Sequence, residues 1–391
     1  YLGRVLFYDK RLSRNDTVSC ASCHHQSRAF SDTATASVGV NGTTGRHAMR
    51  LINARFATEV QFFWDERATT LENQTTRPIQ DHAEMGFSGT DGDPAFSELL
   101  TKLAAIEEYR VLFAMTFGDA AITEDRMQKA MSQFIRSIQS FDSRFDAGLT
   151  TAANINANFT NFTAQENAGK QLFLAPPPGG AGCAGCHRGA EFDIDPISRN
   201  NGVITKIGGG TDLTNTRSPS LRDLVGPGGQ TNGAFMHDGS LATLADVINH
   251  YNLIPGDNAN LDARLSRPNN QTQSLNLTQT QKDNLVAFLS TLTGSAVYTD
   301  ARWSDPFDAE GNLTLIIFPP THLAIQKSGQ SATVSCLAVA GVQYSFQISS
   351  DLVNWTTLNS NVTANSNGTC SQTVSLTSNA FYRFAYVVTA P

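Results

Sequence analysis

The chain carries the pattern Cys-x-x-Cys-His twice. The two copies are Cys20, Cys23 and His24, and Cys183, Cys186 and His187. This pattern is typical of covalent attachment of a c-type haem. Each thiol adds across one vinyl group of the porphyrin, and the next residue, a histidine, binds the iron as its proximal ligand. We therefore predict two covalently bound haems c, around which the chain has to fold.

Two other uses of paired cysteines fit the sequence less well. Zinc sites with four cysteines place their pairs about 15–20 residues apart, whereas about 160 residues separate Cys23 from Cys183. A redox dithiol does not require a histidine as the next residue. His25 directly follows His24, and we expect it to face solvent or to lie near the iron without binding it.

The composition of the chain limits the classes of partner that we expect it to bind. The net charge is −7, from 28 basic and 35 acidic residues, which argues against nucleic acid or an anionic membrane as the main partner. No apolar run approaches the ~18 residues of a transmembrane helix. Because haem c is attached outside the cytoplasm, we expect a periplasmic or otherwise exported protein, and we interpret the abrupt start of the sequence as a mature or truncated end.

Hydrophobic patterning divides the chain near Asp305. Helical patterns joined by long loops precede it, and alternating runs such as ATVSCLAVA and YSFQISS, typical of β-strands, follow it. We predict a mainly α fold with two cytochrome c-like haem domains and a small all-β sandwich-like domain at the C-terminus. These domains are residues 1–162, residues 163–304 and residues 312–391.

Three helices are marked clearly. Thr163 with Glu166, and Thr278 with Gln281, form capping boxes that predict helix starts. Thr123 is a candidate N-cap for a third helix. Its apolar stripe consists of Met127, Met131, Phe134, Ile138 and Phe141.

The β-rich tail holds the two remaining cysteines, Cys336 and Cys370. An exported protein permits a disulfide between them, which we favour over two buried free thiols. We expect Trp355 to be a core residue of this domain. Docking, surface attachment and stabilisation are all open as its role.

Several stretches outside the haem motifs resemble one known family, the bacterial dihaem cytochrome c peroxidases and their MauG-type relatives. They occur in the family's order over about residues 1–296, and they are LGRVLFYDKRLSRNDTVSCASCH, FFWDERATTLENQTTRPIQDHAEMG, GCAGCH, TRSPSLRD, FMHDGSLATLADVINHYN and LVAFLSTLTG. The resemblance implies that the haem on His24 reacts with peroxide and that the haem on His187 transfers electrons. It also implies that Trp64 lies between the haems, although a packed core tryptophan fits the same position.

The resemblance assigns the proton chemistry to Glu84. The family places a glutamate beside the open iron position, where it moves a proton between the two peroxide oxygens, and a glutamine ten residues earlier. Gln74 and Glu84 have this spacing, and Pro78 lies between them and is expected at the haem. The alternative for Glu84 is a solvated surface carboxylate.

Two positions depart from the reductively activated peroxidases. Where those enzymes carry a histidine that blocks the first haem, this chain has Val40, so the iron on His24 has no obvious sixth ligand. His47 is a rival ligand there. It also replaces an asparagine that binds calcium in the family, and because histidine suits a hard cation poorly, one calcium ion is only a further candidate cofactor.

The second departure is the sixth ligand of the second haem, which is methionine in many peroxidases. Tyr251 holds that position here, as in MauG-type proteins, and it shares an apolar helix face with Leu244, Val247 and Ile248. Met236 and His250 are alternative ligands, and a haem without a sixth ligand is another.

Three functions remain open on this reasoning. The leading hypothesis is reduction of hydrogen peroxide at the first haem with electrons relayed from the second, supplied by a small redox protein such as a cytochrome c or a cupredoxin. A MauG-like oxidation of a protein or organic substrate through high-valent iron is the first alternative. A non-enzymatic dihaem electron carrier is the second.

Overall fold

The computed structural model describes residues 1–57, 61–189, 192, 197–269, 271–313, 321–338, 343–365, 369–376 and 380–385. Helices dominate up to residue 305 and strands dominate after it, which confirms a helical region followed by a small sheet-rich region. The described helices are α1 Leu2–Tyr8, α2 Leu71–Thr76, α3 Phe96–Ala104, α4 Glu107–Phe117, α5 Glu124–Ser137, α6 Arg144–Thr151, α7 Ala164–Leu174, α8 Leu244–Asn252 and α9 Gln279–Ser290.

The capping signals act as predicted. The side chain of Thr163 accepts from the backbone N–H of Glu166 at the start of α7, and Thr278 does the same with Gln281 at the start of α9. Helix α5 begins directly after Thr123, and Met127, Met131 and Phe134 of its predicted stripe are buried. The helix ends at Ser137, so Ile138 and Phe141 lie beyond it. These local signals stabilise helix ends whose backbone N–H groups would otherwise lack partners.

The same glycine-dependent helix contact occurs in both halves of the helical region. A Cβ atom at Gly3 of α1 would lie 1.9 Å from the carbonyl oxygen of Ala130 in α5, and one at Gly169 of α7 would lie 1.8 Å from that of Asn284 in α9. Only glycine permits so close an approach of two helix backbones. The repeated contact agrees with the internal duplication that the two haem motifs suggest.

Aromatic side chains fill the core of the second half. Phe145 and Phe192 form a T-shaped pair with centroids 4.8 Å apart, and Phe173 and Phe288 pack beside them. Their burial fixes the ends of α6, α7 and α9 relative to one another. This is the scaffold that carries the second haem motif.

Short two-stranded ribbons occur in the helical region. They are β1 Val38–Gly39 with β2 Gly42–Thr43, and β3 Ser266–Arg267 with β4 Gln271–Thr272. The first ribbon is a tight hairpin that packs beside Glu84.

In the described part of the tail, six longer strands form two three-stranded antiparallel sheets, in the orders β10-β7-β8 and β5-β6-β9. The strands are β5 Thr321–Ser328, β6 Ser331–Leu337, β7 Gln343–Ser349, β8 Thr356–Thr363, β9 Thr369–Ser375 and β10 Phe381–Ala385. Val334 and Phe346 are fully buried between strands. Trp355, expected in the core, is only partly buried, with the Arg383 guanidinium 4.1 Å from its ring centroid.

Cys336 and Cys370 are free thiols in this structure, so the favoured disulfide is not present. Both are buried, and the register of β6 and β9 pairs them directly across the sheet. Directly paired residues of an antiparallel ladder have Cα atoms about 4.5–5.5 Å apart, a separation that a disulfide tolerates. Oxidation to a disulfide therefore requires little movement of the backbone.

The chain groups into two compact units. One contains residues 1, 3–99 and 124–305, and the other contains residues 2, 100–123 and 306–391. Both haem motifs belong to the first unit. Among the described helices, none has the length and apolar character that crossing a membrane requires.

Candidate active site

The first haem motif forms a short 3-10 turn, Cys20–Ser22. Ser19 and Ser22 close a capping box around it, and the backbone N–H of His24 donates to the carbonyl oxygen of Cys20 over 3.0 Å. The Nδ1 atom of His24 lies 3.0 Å from the carbonyl oxygen of Phe30. Because a carbonyl only accepts, Nδ1 carries the proton and the Nε2 lone pair is left for a metal.

The second motif repeats this geometry. Cys183–Gly185 is a 3-10 turn, and the backbone N–H of His187 donates to the carbonyl oxygen of Cys183 over 3.0 Å. Gly182 begins the turn with φ +69°, and a Cβ there would lie 2.8 Å from Pro177. Burial lowers the pKa of His187 to about 4, so the imidazole is neutral at pH 7, as a metal ligand has to be.

Each motif opens onto its own cavity. The small cavity, about 60 Å³, is lined by Cys20, Cys23 and His24 together with Gln74, Pro78 and Glu84. The large cavity, about 650 Å³, is lined by Cys183, Cys186 and His187 together with Trp64, Met236 and Tyr251. Side chains far apart in the sequence therefore meet in two groups, one for each motif.

The two cavities differ in how well they fit a macrocycle. Cofactor sites usually measure about 300–1,000 Å³, and the large cavity lies in that range. The small cavity does not, although its donors have the right chemistry. The two cavities therefore differ in the room that they leave beside their histidine.

Glu84 is held by its backbone rather than by its side chain. Its N–H donates to Oδ1 of Asp81 over 3.0 Å, and its carbonyl oxygen accepts from the N–H of Val40 over 3.0 Å. Within the part of the chain that the structure describes, its carboxylate makes no hydrogen bond. Burial raises the pKa of Glu84 to about 7, assisted by the charge of Asp81 and opposed by Arg67. A carboxyl group that titrates near neutral pH suits proton transfer.

Gln74 reaches the same cavity from a helix. It lies in the last turn of α2, a helix capped by the Thr70 hydroxyl, which accepts from Asn73 N–H. The helix ends at Thr76, just before Pro78, whose ring cannot continue it. The loop that follows returns Glu84 to the helix end, which is why residues ten apart in sequence face one cavity.

The hairpin of β1 and β2 packs against the Glu84 loop, a contact that sequence reasoning missed. A Cβ at Gly39 would lie 2.0 Å from the carbonyl oxygen of Ala83 and 2.8 Å from Cα of Glu84. Val40, the position that departs from the activated peroxidases, is the residue whose N–H donates to Glu84. The Glu84 loop can therefore take this position only because residue 39 has no side chain.

Trp64 joins the two halves of the helical region. Its indole N–H donates to the His47 carbonyl over 2.8 Å, and its own carbonyl accepts from the N–H of Thr216 over 3.0 Å. The indole ring meets the His237 ring edge-on at 6.4 Å. Trp64 lines the large cavity and is not among the residues that line the small one.

The structure places His47 in the large cavity, away from its expected site. Its Nδ1 lies 2.9 Å from the carbonyl oxygen of Ala34, and its backbone N–H donates to the carbonyl oxygen of His237. This hydrogen bonding holds the residue against the second half. The hypothesis that His47 is an alternative ligand of the iron on His24 is therefore wrong.

Two of the candidate sixth ligands meet at one amide. The Nδ2 atom of Asn201 lies 3.2 Å from the Met236 sulfur and 3.2 Å from the Tyr251 hydroxyl oxygen, and both side chains line the large cavity. His250 is not among the described residues that line this cavity. The Nε2 atom of His250 lies 2.9 Å from the backbone carbonyl oxygen of Asn201. Burial raises the pKa of the Tyr251 phenol above its ordinary value.

The large cavity also contains buried polar groups, of which sequence reasoning had singled out only His47. Arg50 Nε, Asn215 Nδ2 and His47 Nε2 are buried without a hydrogen-bond partner among the described residues, and all three residues line the cavity. Arg50 Nε and Asn215 Nδ2 are donors, and buried donors without partners are costly, so a bound group with acceptor oxygens fits the wall beside these two residues. The sequence signal was weak because His47 and Arg50 lie in one loop and Asn215 lies in another, far along the chain.

The calcium expectation has little structural support. Across the described ranges, no three His, Cys, Asp or Glu side chains gather as metal ligands would. Calcium takes six to eight oxygen ligands, mostly carboxylates and carbonyls. It therefore stays a prediction.

Comparisons with known proteins agree with this geometry. A family model described as di-haem cytochrome c peroxidase matches residues 1–154. The methylamine utilization protein MauG of Methylophilus methylotrophus is 30% identical over 312 residues, which cover 77% of this chain and 84% of that protein. Cytochrome c551 peroxidase of Nitrosomonas europaea is 28% identical over 307 residues, or 75% of this chain and 79% of that protein.

A solved structure shares the arrangement of the helical region. The crystal structure of a MauG-like protein associated with microbial copper homeostasis has 31% sequence identity and a TM-score of 0.60, covering 78% of this chain and 92% of that one. Haem is the cofactor of this family, and its chemistry is peroxide-related redox activity. The chain therefore belongs to the dihaem cytochrome c peroxidase and MauG family, and it is an enzyme of the dihaem peroxidase type.

Proposed function

We propose that the chain is an exported dihaem enzyme that reduces hydrogen peroxide at the haem on His24, with electrons relayed through the haem on His187. Its helical region then consists of two cytochrome c-like domains. The observation that carries the proposal is the shared lining of the small cavity, where Gln74, Pro78 and Glu84 meet the first haem motif. The reaction consumes one peroxide, two electrons and two protons and yields two waters.

Covalent attachment is the first part of the proposal. Cys20 and Cys23 would hold one haem through thioether bonds, with His24 as the iron ligand. Cys183, Cys186 and His187 would hold the other. When bound, the haem supplies an iron that binds peroxide or exchanges electrons.

The wall of the large cavity fits the carboxylates of the second haem. Arg50 and Asn215 present buried donors there, and a guanidinium forms strong charge-assisted hydrogen bonds to carboxylates. Burial lowers the pKa of Arg50 to about 10, which leaves it charged at neutral pH. Tyr251 would bind the iron together with His187, and Met236 is the alternative, since both side chains line this cavity beside Asn201.

Glu84 performs the proton chemistry. As a carboxylate it takes a proton from the peroxide oxygen that stays, and it returns that proton to the oxygen that leaves as water. A pKa near 7 lets the group do both at neutral pH. Gln74, in the same cavity, has an amide that donates and accepts, so it orients peroxide without exchanging a charge.

Electrons pass between the halves by way of Trp64. Its indole N–H donates to the His47 carbonyl, and its backbone carbonyl accepts from the N–H of Thr216. The donor is a small redox protein of the cytochrome c or cupredoxin kind. Haem c attachment takes place outside the cytoplasm, which supports an exported location.

A MauG-like oxidation of a protein or organic substrate is the second candidate. Tyr251 favours it, because a phenolate ligand stabilises oxidised iron better than a thioether does. The relative from Methylophilus methylotrophus is named MauG. The two functions use the same cavities and differ in what supplies or receives the electrons.

The test of the leading proposal is rapid mixing with peroxide. Glu84→Gln should keep both haems but slow peroxide consumption about 10²–10⁴-fold, the usual cost of losing a general acid–base group. Glu98→Gln, an exposed carboxylate in α3, is the control and should behave as wild type. Unchanged peroxide reactivity in Glu84→Gln would refute the assigned role.

A further inference from the structure

Asp93 holds three chain segments together beside the Glu84 loop. Its side chain is fully buried, and its carboxylate accepts from Arg14 Nη1 over 2.5 Å, from Ser88 Oγ over 2.7 Å and from His82 Nδ1 over 2.9 Å. A buried carboxylate is stable only when its oxygens are paired in this way. Nothing in the haem motifs requires an acid at this position.

The partners of Asp93 are also the neighbours of Glu84. The backbone N–H of Arg14 donates to the carbonyl oxygen of Met85, the residue after Glu84, over 2.9 Å. Asn41 completes the arrangement, because its backbone N–H donates to the carbonyl oxygen of Ala83 and its side-chain amide donates to that of His82 over 2.9 Å. The residues on both sides of Glu84 are therefore fixed from outside the loop.

Arg14 links these contacts through its side chain. One guanidinium nitrogen pairs with Asp93 and the other donates to Oδ1 of Asn41 over 2.5 Å. A Cβ at Gly86 would lie 2.7 Å from Arg14 Cδ and 2.9 Å from Val40 Cγ2. The arginine stem and the hairpin therefore pack directly against the end of the Glu84 loop.

We propose that Asp93 is a positioning residue for peroxide reduction, which holds Glu84 in the small cavity through Arg14, Asn41 and His82. This inference rests on the proposed role of Glu84. The carboxylate of Glu84 has no hydrogen bond of its own among the described residues, so its place in the cavity depends on its backbone. Asp93 fixes that backbone without touching the reacting atoms.

Asp93 keeps its negative charge at neutral pH. Desolvation alone would raise the pKa of Asp93, but hydrogen bonds from Ser88 and His82 and the charges of His82 and Arg14 together lower it. The anchor is therefore ionised wherever Glu84 titrates.

Loss of the hydrogen bonds to Asp93 should change the pKa of Glu84. A loosened loop admits water, and solvation stabilises the carboxylate, so the pKa of Glu84 falls from about 7 toward its ordinary value. The charged and titratable groups that face Glu84 are Asp81, Arg67, Cys20 and Cys23. In the haem-loaded protein the two cysteines are thioethers and no longer titrate.

The experiment uses the haem-loaded full chain and a pair of His82 variants. His82→Ala removes the donor to Asp93, and His82→Asn retains an N–H donor, because the amide nitrogen of asparagine occupies the position of Nδ1. An infrared titration follows the protonated carboxyl band that Glu84→Gln abolishes, and peroxide consumption is measured against pH. Asp146→Asn, which breaks the ion pair of Asp146 with buried Arg222 in the second half, controls for general loss of stability.

In His82→Ala, the midpoint of the infrared titration and the inflection in the pH profile of peroxide consumption should both fall by roughly one pH unit or more. The wild-type values should return in His82→Asn, and Asp146→Asn should not move them. Unchanged inflections in both His82→Ala and Asp93→Ala would overturn the inference. If Glu84→Gln itself leaves the pH profile of peroxide consumption unchanged, the proposed function fails first, so the two failures are distinguishable.

Discussion

The indole N–H of Trp64 donates to the backbone carbonyl oxygen of His47 over 2.8 Å. The N–H of His47 in turn donates to the carbonyl oxygen of His237, over 2.7 Å. One tryptophan is thereby tied to both halves of the helical region and lies in the wall of the large cavity. These hydrogen bonds hold Trp64 in the wall of the proposed second haem site.

Haem content is the first prediction. The denatured mature protein should carry two covalent haem additions by mass spectrometry. Changing Cys183 and Cys186 together to alanine should remove one addition and leave the haem at His24. A fully matured wild type with fewer than two haems would rule out the paired attachment.

The close contact at Gly39 gives the second prediction. Gly39→Ala introduces a Cβ 2.0 Å from the carbonyl oxygen of Ala83, so the hairpin and the Glu84 loop have to separate. We expect a stability loss of about 1–3 kcal/mol, typical of overpacking, and slower peroxide consumption. Gly45→Ala is the matched control, because its Cβ would meet nothing within 4 Å, and equal behaviour of the two variants would contradict the account.

The pKa of Glu84 gives the third prediction. Since the base form takes the peroxide proton, the rate should rise with pH through about 7 in the wild type and lose this inflection in Glu84→Gln. The free energy of unfolding should change in the opposite direction and fall as the pH rises. A carboxyl pKa raised by folding contributes stability at low pH that is lost as pH rises through the folded-state value.

Thermal unfolding at several pH values checks this sign. Glu84→Gln should gain stability relative to wild type above pH 7, by at most about 3 kcal/mol for a shift from 4.5 to about 7, and the advantage should vanish near pH 4. An advantage that grows as the pH falls would show that Glu84 is stabilised as a carboxylate.

The sixth ligand of the second haem is the subject of the fourth prediction. Tyr251→Phe should change the low-spin spectrum of the ferric protein, whereas Met236→Leu should leave it unchanged, because only the phenol is the proposed ligand. Peroxide added to fully ferric wild type, without prior reduction, should oxidise both haems, and Tyr251→Met should lose this reaction. The reverse pattern in the Phe and Leu variants would assign the ligand to Met236.

Part of this site follows from sequence because its signals are local. Cys-x-x-Cys-His places its own donors within one turn, and the Pro78 break after α2 explains how Gln74 and Glu84 reach one cavity. Capping boxes such as Thr163 with Glu166 also act over three residues. Short-range patterns of this kind need no knowledge of the tertiary fold.

The rest depends on contacts between distant segments. His47 follows the first motif closely in sequence, yet it lines the cavity of the second, so proximity along the chain was a poor guide. Asp93 and Arg14 are 79 residues apart, and no periodicity or motif links them. Such pairs become visible only when the loops that carry them are placed in space.

Electron paramagnetic resonance of the ferric protein, as isolated, tests the central claim that the two haems are unequal. The account predicts one high-spin signal, from the iron on His24 with an open position beside Glu84, and one low-spin signal, from the iron held by His187 and Tyr251. A His24→Gly variant should lose or alter the high-spin signal alone. Two low-spin signals in the wild type would contradict the account, because neither iron would then have an open position for peroxide.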